Sequence, residues 1–116
     1  MSNLRERGKT FEAEYIRKQE LAFRITARRN RLFGSWAAGK LGLAAGAAVE
    51  AYAKAVIEAD FKGRGDDDVI AKVRTDLAAK GIVSTEAELR AELASAAAEA
   101  RRQVLAHDGG SGPRLQ

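Results

Sequence analysis

Apolar residues recur at helical spacing in four segments of this chain, and no segment shows the sustained apolar–polar alternation of a half-buried strand. The only proline is Pro113, so no proline interrupts a helix between residues 10 and 108. Glycines lie between the periodic segments, where they favour helix ends. The pattern therefore predicts an all-α chain that folds as a small four-helix bundle.

The first two helices are bounded by glycines. The first firm helix is predicted from about Glu20 to Lys40, and the second from residues 43–46 to Lys62, before Gly63. Alanine-rich facing surfaces indicate that the helices approach each other closely. The residues predicted to face the core are Leu21, Ile25, Leu32, Phe33 and Trp36 in the first helix, and Val49, Tyr52, Ala53, Val56 and Ile57 in the second.

The last two helices carry recognisable start and stop signals. The third helix is predicted to begin at one of the aspartates 66–68, whose carboxylates would cap free backbone N–H groups, and to stop in a Schellman motif at Gly81. Thr85 and Glu88 form a capping box for a fourth helix that runs to about Ala106. The predicted core residues are Val69, Ile70, Val73 and Leu77 in the third helix, and Leu89, Leu93, Ala96, Ala97, Ala100 and Val104 in the fourth.

Both ends of the chain are predicted to lie outside the bundle. Residues 1–18 are charged, and their only stripe places Phe11 one turn from Tyr15. So short a stripe is marginal in water, so this arm is predicted to be flexible when free and helical when a partner covers the aromatic pair. The predicted organisation is a flexible N-terminal arm over 1–18, a bundle over 19–107 and a disordered glycine-rich tail over 108–116.

Positive charge is concentrated near the N-terminus. The chain has a net charge of +4, whereas residues 1–31 alone carry nine basic and four acidic side chains. Arg24, Arg28 and Arg31 recur at helical spacing and share one face. Three interpretations stay open for this strip: it contacts nucleic-acid phosphates, it pairs with acidic residues of the third or fourth helix, or it docks on an acidic protein surface.

The sequence offers no constellation typical of catalysis or metal binding. There is no cysteine, and His107 is the only histidine, so neither a metal site nor a nucleophile–base pair is predicted. Residues 34–41 resemble a phosphate-binding loop, but Leu41 stands where that loop needs Ser or Thr. The longest uncharged run, residues 41–49, is about half a membrane span, and no secretory signal is evident. A cytoplasmic, monomeric, non-enzymatic protein without membrane insertion is expected.

Residues 27–38, which read Ala-Arg-Arg-Asn-Arg-Leu-Phe-Gly-Ser-Trp-Ala-Ala, resemble the zeta subunit family. These proteins are small inhibitors of the F-type ATP synthase of alphaproteobacteria. Residues 5–7, 11–15 and 20–23 are compatible with the same family. The resemblance implies a four-helix bundle whose arm enters a catalytic interface between the alpha and beta subunits, becomes helical, and reaches the central gamma subunit. Rotation in the hydrolytic direction is thereby blocked.

Matching positions assign this role to residues 2–16. The resemblance implies apolar contacts by Phe11 and Tyr15 and further partner contacts by Leu4, Arg5, Glu6, Arg7, Glu12 and Glu14. Their shared positive face makes Arg24, Arg28 and Arg31 a predicted secondary docking strip. It places the protein in the cytoplasm, at the inner membrane through the ATP synthase. No cofactor is expected, although the resemblance raises weak adenine-nucleotide binding at an unknown site.

Two other functions are weighed against the inhibitor. Residues 8–10 and 17–18 depart from the family pattern, which leaves open a relative with weak or lost inhibition. A small basic helical module that binds nucleic acid or another protein is the second alternative, although Glu12, Glu14 and Glu20 interrupt the basic surface and make nucleic acid the less expected partner.

Overall fold

The computed structural model describes the backbone of residues 2–62 and 65–110 and the side chains of residues 10–61 and 65–107. Its helices are α1 (Ser2–Lys40), α2 (Ala47–Lys62), α3 (Asp66–Ala79) and α4 (Glu86–Gly110). No strand occurs in these ranges, so the predicted all-α four-helix architecture is confirmed. The predicted helix end at Gly63 and the tail positions 111–116 lie outside the described residues.

The core is built from all four helices. α1 packs along both α2 and α4, while α3 packs mainly on α2. Every residue predicted to face the core from α3 is buried, as are the predicted Ala53 and Val56 of α2. The central cluster consists of Phe33, Ala37, Val56, Val69, Ile70, Val73, Leu77, Leu89 and Leu93. The predicted Ala100 and Val104 of α4 are buried as well. The remaining predicted core positions are half-buried: Leu21, Ile25, Leu32, Trp36, Val49, Tyr52, Ile57, Ala96 and Ala97.

The central aromatic residue of the bundle is Phe33. Its side chain is 1% exposed, whereas Trp36 is only half-buried and packs on the edge of the cluster. The two rings stack with centroids 5.7 Å apart, and the Lys40 ammonium lies 5.4 Å from the indole centroid. Because Trp36 lies about 60° round the helix from Phe33, it can cover the core without filling it.

α1 and α2 approach each other at Gly34. A Cβ atom at this buried position would lie 2.8 Å from the Ala53 Cα and 3.3 Å from the Val56 Cβ. The first distance is shorter than van der Waals contact and involves backbone, so the two helices could not keep this separation with a larger residue. This contact confirms the close helix approach that the alanine-rich surfaces predict.

We expect Gly34→Ala to destabilise the bundle by about 1–3 kcal/mol, because the added methyl group pushes α1 and α2 apart. Gly39 is the matched control, because it lies on the same helix and a Cβ there meets nothing within 4 Å. Gly39→Ala should therefore stabilise the protein by up to about 1 kcal/mol through helix propensity alone. Thermal unfolding followed by circular dichroism measures both changes, and shifts of the same sign would contradict the close contact.

Two predicted helix signals are confirmed atom by atom. At the end of α3, Ile82 N–H donates to the Leu77 carbonyl and Gly81 N–H donates to the Ala78 carbonyl, each at 2.9 Å, with Gly81 at φ 78°. This is the full Schellman pattern. Before α4, the Thr85 N–H donates to Glu88 Oε1 and the Glu88 N–H donates to Thr85 Oγ1, both at 3.0 Å.

α3 begins at Asp66, within the predicted range, but the predicted capping role is wrong for Asp66 and Asp67. Gly65 occupies the N-cap of α3, and no side-chain hydrogen bond caps this helix. Asp66 Oδ1 instead accepts a hydrogen bond from Arg29 at 2.9 Å, and Asp67 Oδ1 accepts one from Arg90 at 2.6 Å. Cationic partners on α1 and α4 thus hold these carboxylates, which still lie at the positive end of the helix dipole.

α1 begins at Ser2, well before the predicted start near Glu20, and α4 continues to Gly110, past the predicted end near Ala106. Extending an existing helix avoids the unfavourable nucleation step, so polar residues can prolong α1 even without tertiary contacts. The predicted arm is therefore continuous with the first bundle helix, and its mobility when free stays a prediction. None of the helices, over the described residues, is both long and apolar enough to cross a membrane.

Candidate functional site

The N-terminal half of α1 stands clear of the bundle. Every described side chain from position 10 to position 20 is exposed, and Leu21 is the first that is half-buried. The molecule measures 66 Å along its longest axis and 22 Å along its shortest. Residues 2–20 of α1, which we call the arm helix, therefore project from a compact body.

The arm helix presents an aromatic stripe to solvent. Phe11 and Tyr15 are 67% and 64% exposed and lie one turn apart on the same face. Glu12 and Glu14 flank this stripe on opposite sides, because each residue advances about 100° round a helix. The structure thus brings four predicted site residues into one exposed surface. Leu4, Arg5, Glu6 and Arg7 lie on the same helix, but their side chains are outside the described ones.

A second exposed aromatic pair lies at the base of the arm helix. Phe23 of α1 and Phe61 of α2 are 56% and 63% exposed, and their rings stack with centroids 6.0 Å apart. This pair is not among the site residues predicted from the sequence. The four-residue steps from Phe11 through Tyr15 and Gln19 to Phe23 were a usable signal for the first ring. Phe61 gave none, because only the packing of α2 on α1 brings it there.

The arginine strip makes contacts within the fold. Arg28 Nη1 donates to Gln103 Oε1 of α4 at 2.8 Å, and Arg31 forms a 2.5 Å ion pair with Glu50 of α2. Acidic partners on α3 or α4 were one of the predicted alternatives; the acidic partner of Arg31 lies on α2 instead. Together with Arg24, both residues line a cavity of about 300 Å³ that is open to solvent.

A buried polar network fixes α1 where the arm helix leaves the bundle. Asn30 is 1% exposed, and its Nδ2 donates to Asp60 Oδ2 of α2 at 3.0 Å. Arg29 donates to Asn30 Oδ1 from Nε at 3.0 Å and from Nη2 at 2.8 Å, and to Asp66 of α3. A buried amide is tolerated only when hydrogen-bonded, so the network specifies how α1, α2 and α3 meet.

The motif of residues 27–38 thus acquires a structural meaning: Asn30 lies in the buried network, Phe33 in the core and Gly34 at a close contact between α1 and α2. A family model described as ATPase inhibitor subunit zeta matches residues 1–103. The chain belongs to the zeta subunit family. The match includes both the arm helix and most of the bundle, and no curated protein matches the chain.

The zeta family is defined by inhibition of an ATPase, which indicates a regulatory protein that associates with the ATP synthase. Within the described residues, no group of three or more metal-binding side chains is close enough to hold an ion. Weak adenine-nucleotide binding, which the family resemblance raised, stays a prediction.

Tyr52 has a shifted pKa and a structural role in this zeta-family bundle. Tyr52 of α2 donates its hydroxyl hydrogen to Asp76 Oδ2 of α3 at 2.7 Å, and Lys72 donates to the same oxygen at 2.9 Å. Burial, followed by the hydrogen bond and the negative charge of Asp76, raises the pKa of Tyr52 above its ordinary value. The hydroxyl therefore stays protonated and joins α2 to α3 at neutral pH.

Proposed function

We propose that this protein inhibits ATP hydrolysis by the F-type ATPase through insertion of the arm helix at a catalytic alpha/beta interface, where it blocks rotation. The observation that carries the proposal is the exposed stripe of Phe11 and Tyr15 on a helix that projects from the body of a zeta-family chain. Aromatic side chains left uncovered by the protein's own fold are typical of a surface that another protein covers.

The dimensions of the arm helix suit such an insertion. Residues 2–20 extend about 28 Å at the helical rise, and a single helix is about 10–12 Å wide. The chain measures 36 Å and 22 Å along its two shorter axes, so the bundle that follows Leu21 is wider than a single helix. In the proposed complex the arm helix enters a groove between subunits, while the bundle stays outside and limits how far it can go.

The energetics favour binding of a preformed arm helix. A segment that orders only on binding loses about 2–5 kcal/mol of its interaction energy. The arm helix is the N-terminal part of α1, and the part of α1 inside the bundle already supplies the helix nucleus. The arm helix therefore avoids part of that cost. Burial of the two aromatic rings then contributes about 1.5–3 kcal/mol each, before the costs of association.

The proposal has consequences for partners and location. The alpha and beta subunits contact the sides of the arm helix, and the gamma subunit is reached by its N-terminal end, where Leu4, Arg5, Glu6 and Arg7 lie. Inhibition requires no cofactor of its own, and one monomer acts on one ATPase head. The protein therefore works in the cytoplasm, at the inner membrane through the ATP synthase.

The direct test is to titrate the full chain into purified ATPase head and to measure the steady rate of ATP hydrolysis. We expect a saturable fall in rate at about one inhibitor per head. Binding of the chain to random duplex DNA is measured alongside, by gel shift at low and high salt. The basic N-terminal third favours the alternative of a nucleic-acid-binding module, and that alternative predicts DNA binding that weakens steeply with salt. An unchanged hydrolysis rate at large excess, together with a salt-sensitive gel shift, would reverse the choice between the two functions.

A further inference from the structure

We propose that the bundle makes its own contact with the ATPase head, through a groove that receives an apolar side chain from an acidic segment of that partner. The groove, called here the Phe23 groove, is the 300 Å³ cavity between α1, α2 and α4. Phe23, Ala27, Ile57 and Val104 are its apolar lining, and Arg24, Arg28 and Arg31 are its cationic lining. This inference rests on the proposed function for the identity of the partner.

The shape of the groove depends on Phe23. Its ring lines this cavity and also two neighbouring depressions, one shared with Gln19 and Glu20 and the other with Asn30 and Phe61. An exposed ring that separates three depressions offers edges and faces to an incoming side chain without any rearrangement of the core. The Phe23 groove is at the lower end of the size range of ligand pockets, which suits side chains of a protein partner.

The charge of the groove selects an acidic occupant. Three guanidinium groups and His107 line the cavity, and no carboxylate is among its described lining residues. The hydrogen-bond partner of Arg28 is the neutral Gln103, so that contact leaves its positive charge uncompensated. The Arg31–Glu50 pair is about half exposed on both sides, and such pairs contribute little, so a carboxylate of the partner can replace Glu50.

The groove is continuous with the proposed inhibitory surface. Phe11, Tyr15, Gln19 and Phe23 succeed one another at four-residue steps along α1. Each step turns the stripe by about 40° round the helix, so it spirals from the arm helix to the face that stacks on Phe61. A partner that covers the arm helix therefore reaches the Phe23 groove where the bundle begins.

Two variants in the full chain separate this contact from the blocking action of the arm helix. We expect Phe23→Ala combined with Phe61→Ala to raise the inhibitor concentration for half-maximal inhibition by about 10-fold or more, as loss of a buried aromatic contact does. Arg28→Glu should have a similar effect that shrinks at high salt, because it acts through charge. Maximal inhibition at saturation should stay complete in both, because the arm helix is intact.

The matched controls are Val83→Ala, which removes an 89% exposed apolar side chain, and Arg74→Glu, which reverses an exposed charge on α3. Each should change the half-maximal concentration by less than about 2-fold. Thermal melts of all variants report folding, and if the aromatic double variant were unfolded, the Arg28→Glu result would decide.

The outcomes distinguish the groove from the inhibitor proposal. If both groove variants have the same half-maximal inhibitory concentration as the wild type, the proposed groove contact is overturned and the inhibitory function is retained. A wild-type chain that neither binds nor inhibits the ATPase head overturns both. Self-association of the wild type that Phe23→Ala abolishes would identify a second copy as the occupant, and would also overturn the proposal.

Discussion

Replacement of both Phe11 and Tyr15 by alanine should abolish inhibition over any practical concentration range, with a loss of potency of at least about 100-fold. Each ring is about two-thirds exposed in the free protein, so its burial energy is realised only in the complex. Aromatic contacts at the centre of an interface commonly contribute 2 kcal/mol or more each, and two such losses reach this fold-change. ATP hydrolysis by the purified head, measured against inhibitor concentration, gives the result.

The same double variant should unfold at nearly the wild-type temperature. Substitutions at exposed positions usually change stability by no more than about 0.5 kcal/mol, and neither ring contacts the bundle core in this structure. Val83→Ala is the matched control for the loss of an exposed apolar group outside the arm helix. A large fall in melting temperature in the double variant would mean that the arm helix packs on the body in solution, and would contradict insertion from an exposed state.

The bundle could be predicted from sequence wherever a signal is local. The Schellman stop at Gly81 and the capping box of Thr85 each depend on a few consecutive residues, and both occur as predicted. The capping role predicted for Asp66 and Asp67 was wrong because capping competes with ion pairing. The choice depends on Arg29 and Arg90, which are distant in sequence.

The position of the arm was predicted from sequence, and its flexibility when free stays a prediction. Its polar composition suggested a segment that cannot order alone, and that reasoning treats residues 1–18 as an isolated peptide. In the structure, residues 2–18 extend a helix that the bundle has already nucleated. The prediction that Phe11 and Tyr15 share one face of a helix depends only on their spacing, and the structure confirms it.

The Phe23 groove could not be predicted because it belongs to three helices at once. Arg24, Arg28 and Arg31 were recognised as one face of a helix, but the apolar lining from Ile57 and Val104 depends on how α2 and α4 pack there. That packing is fixed in part by Asn30, a buried polar residue whose hydrogen bond to Asp60 no periodicity could reveal. Specific interhelical contacts thus turn a charged helix face into a shaped surface.

The largest effect on stability is expected from Phe33→Ala. Phe33 is the aromatic ring at the centre of the core, 1% exposed, and its removal should cost about 3–5 kcal/mol through lost burial and an unfilled cavity. For a domain of this size that loss lowers the melting temperature by at least about 12 °C. It is also a large part of the total stability of a small domain, about 5–15 kcal/mol, so the variant should be partly unfolded at 37 °C.

Trp36→Ala is the matched comparison, because it removes the larger of two stacked rings that lie less than one turn apart on α1. Since Trp36 is half-buried, its loss should cost about 1–3 kcal/mol, which includes the stacking with Phe33 and the contact with Lys40. Thermal and urea unfolding of the two variants measure the difference. If the tryptophan variant were the less stable one, the core would be centred on the indole ring, and α1 would have to be rotated relative to α2 and α4.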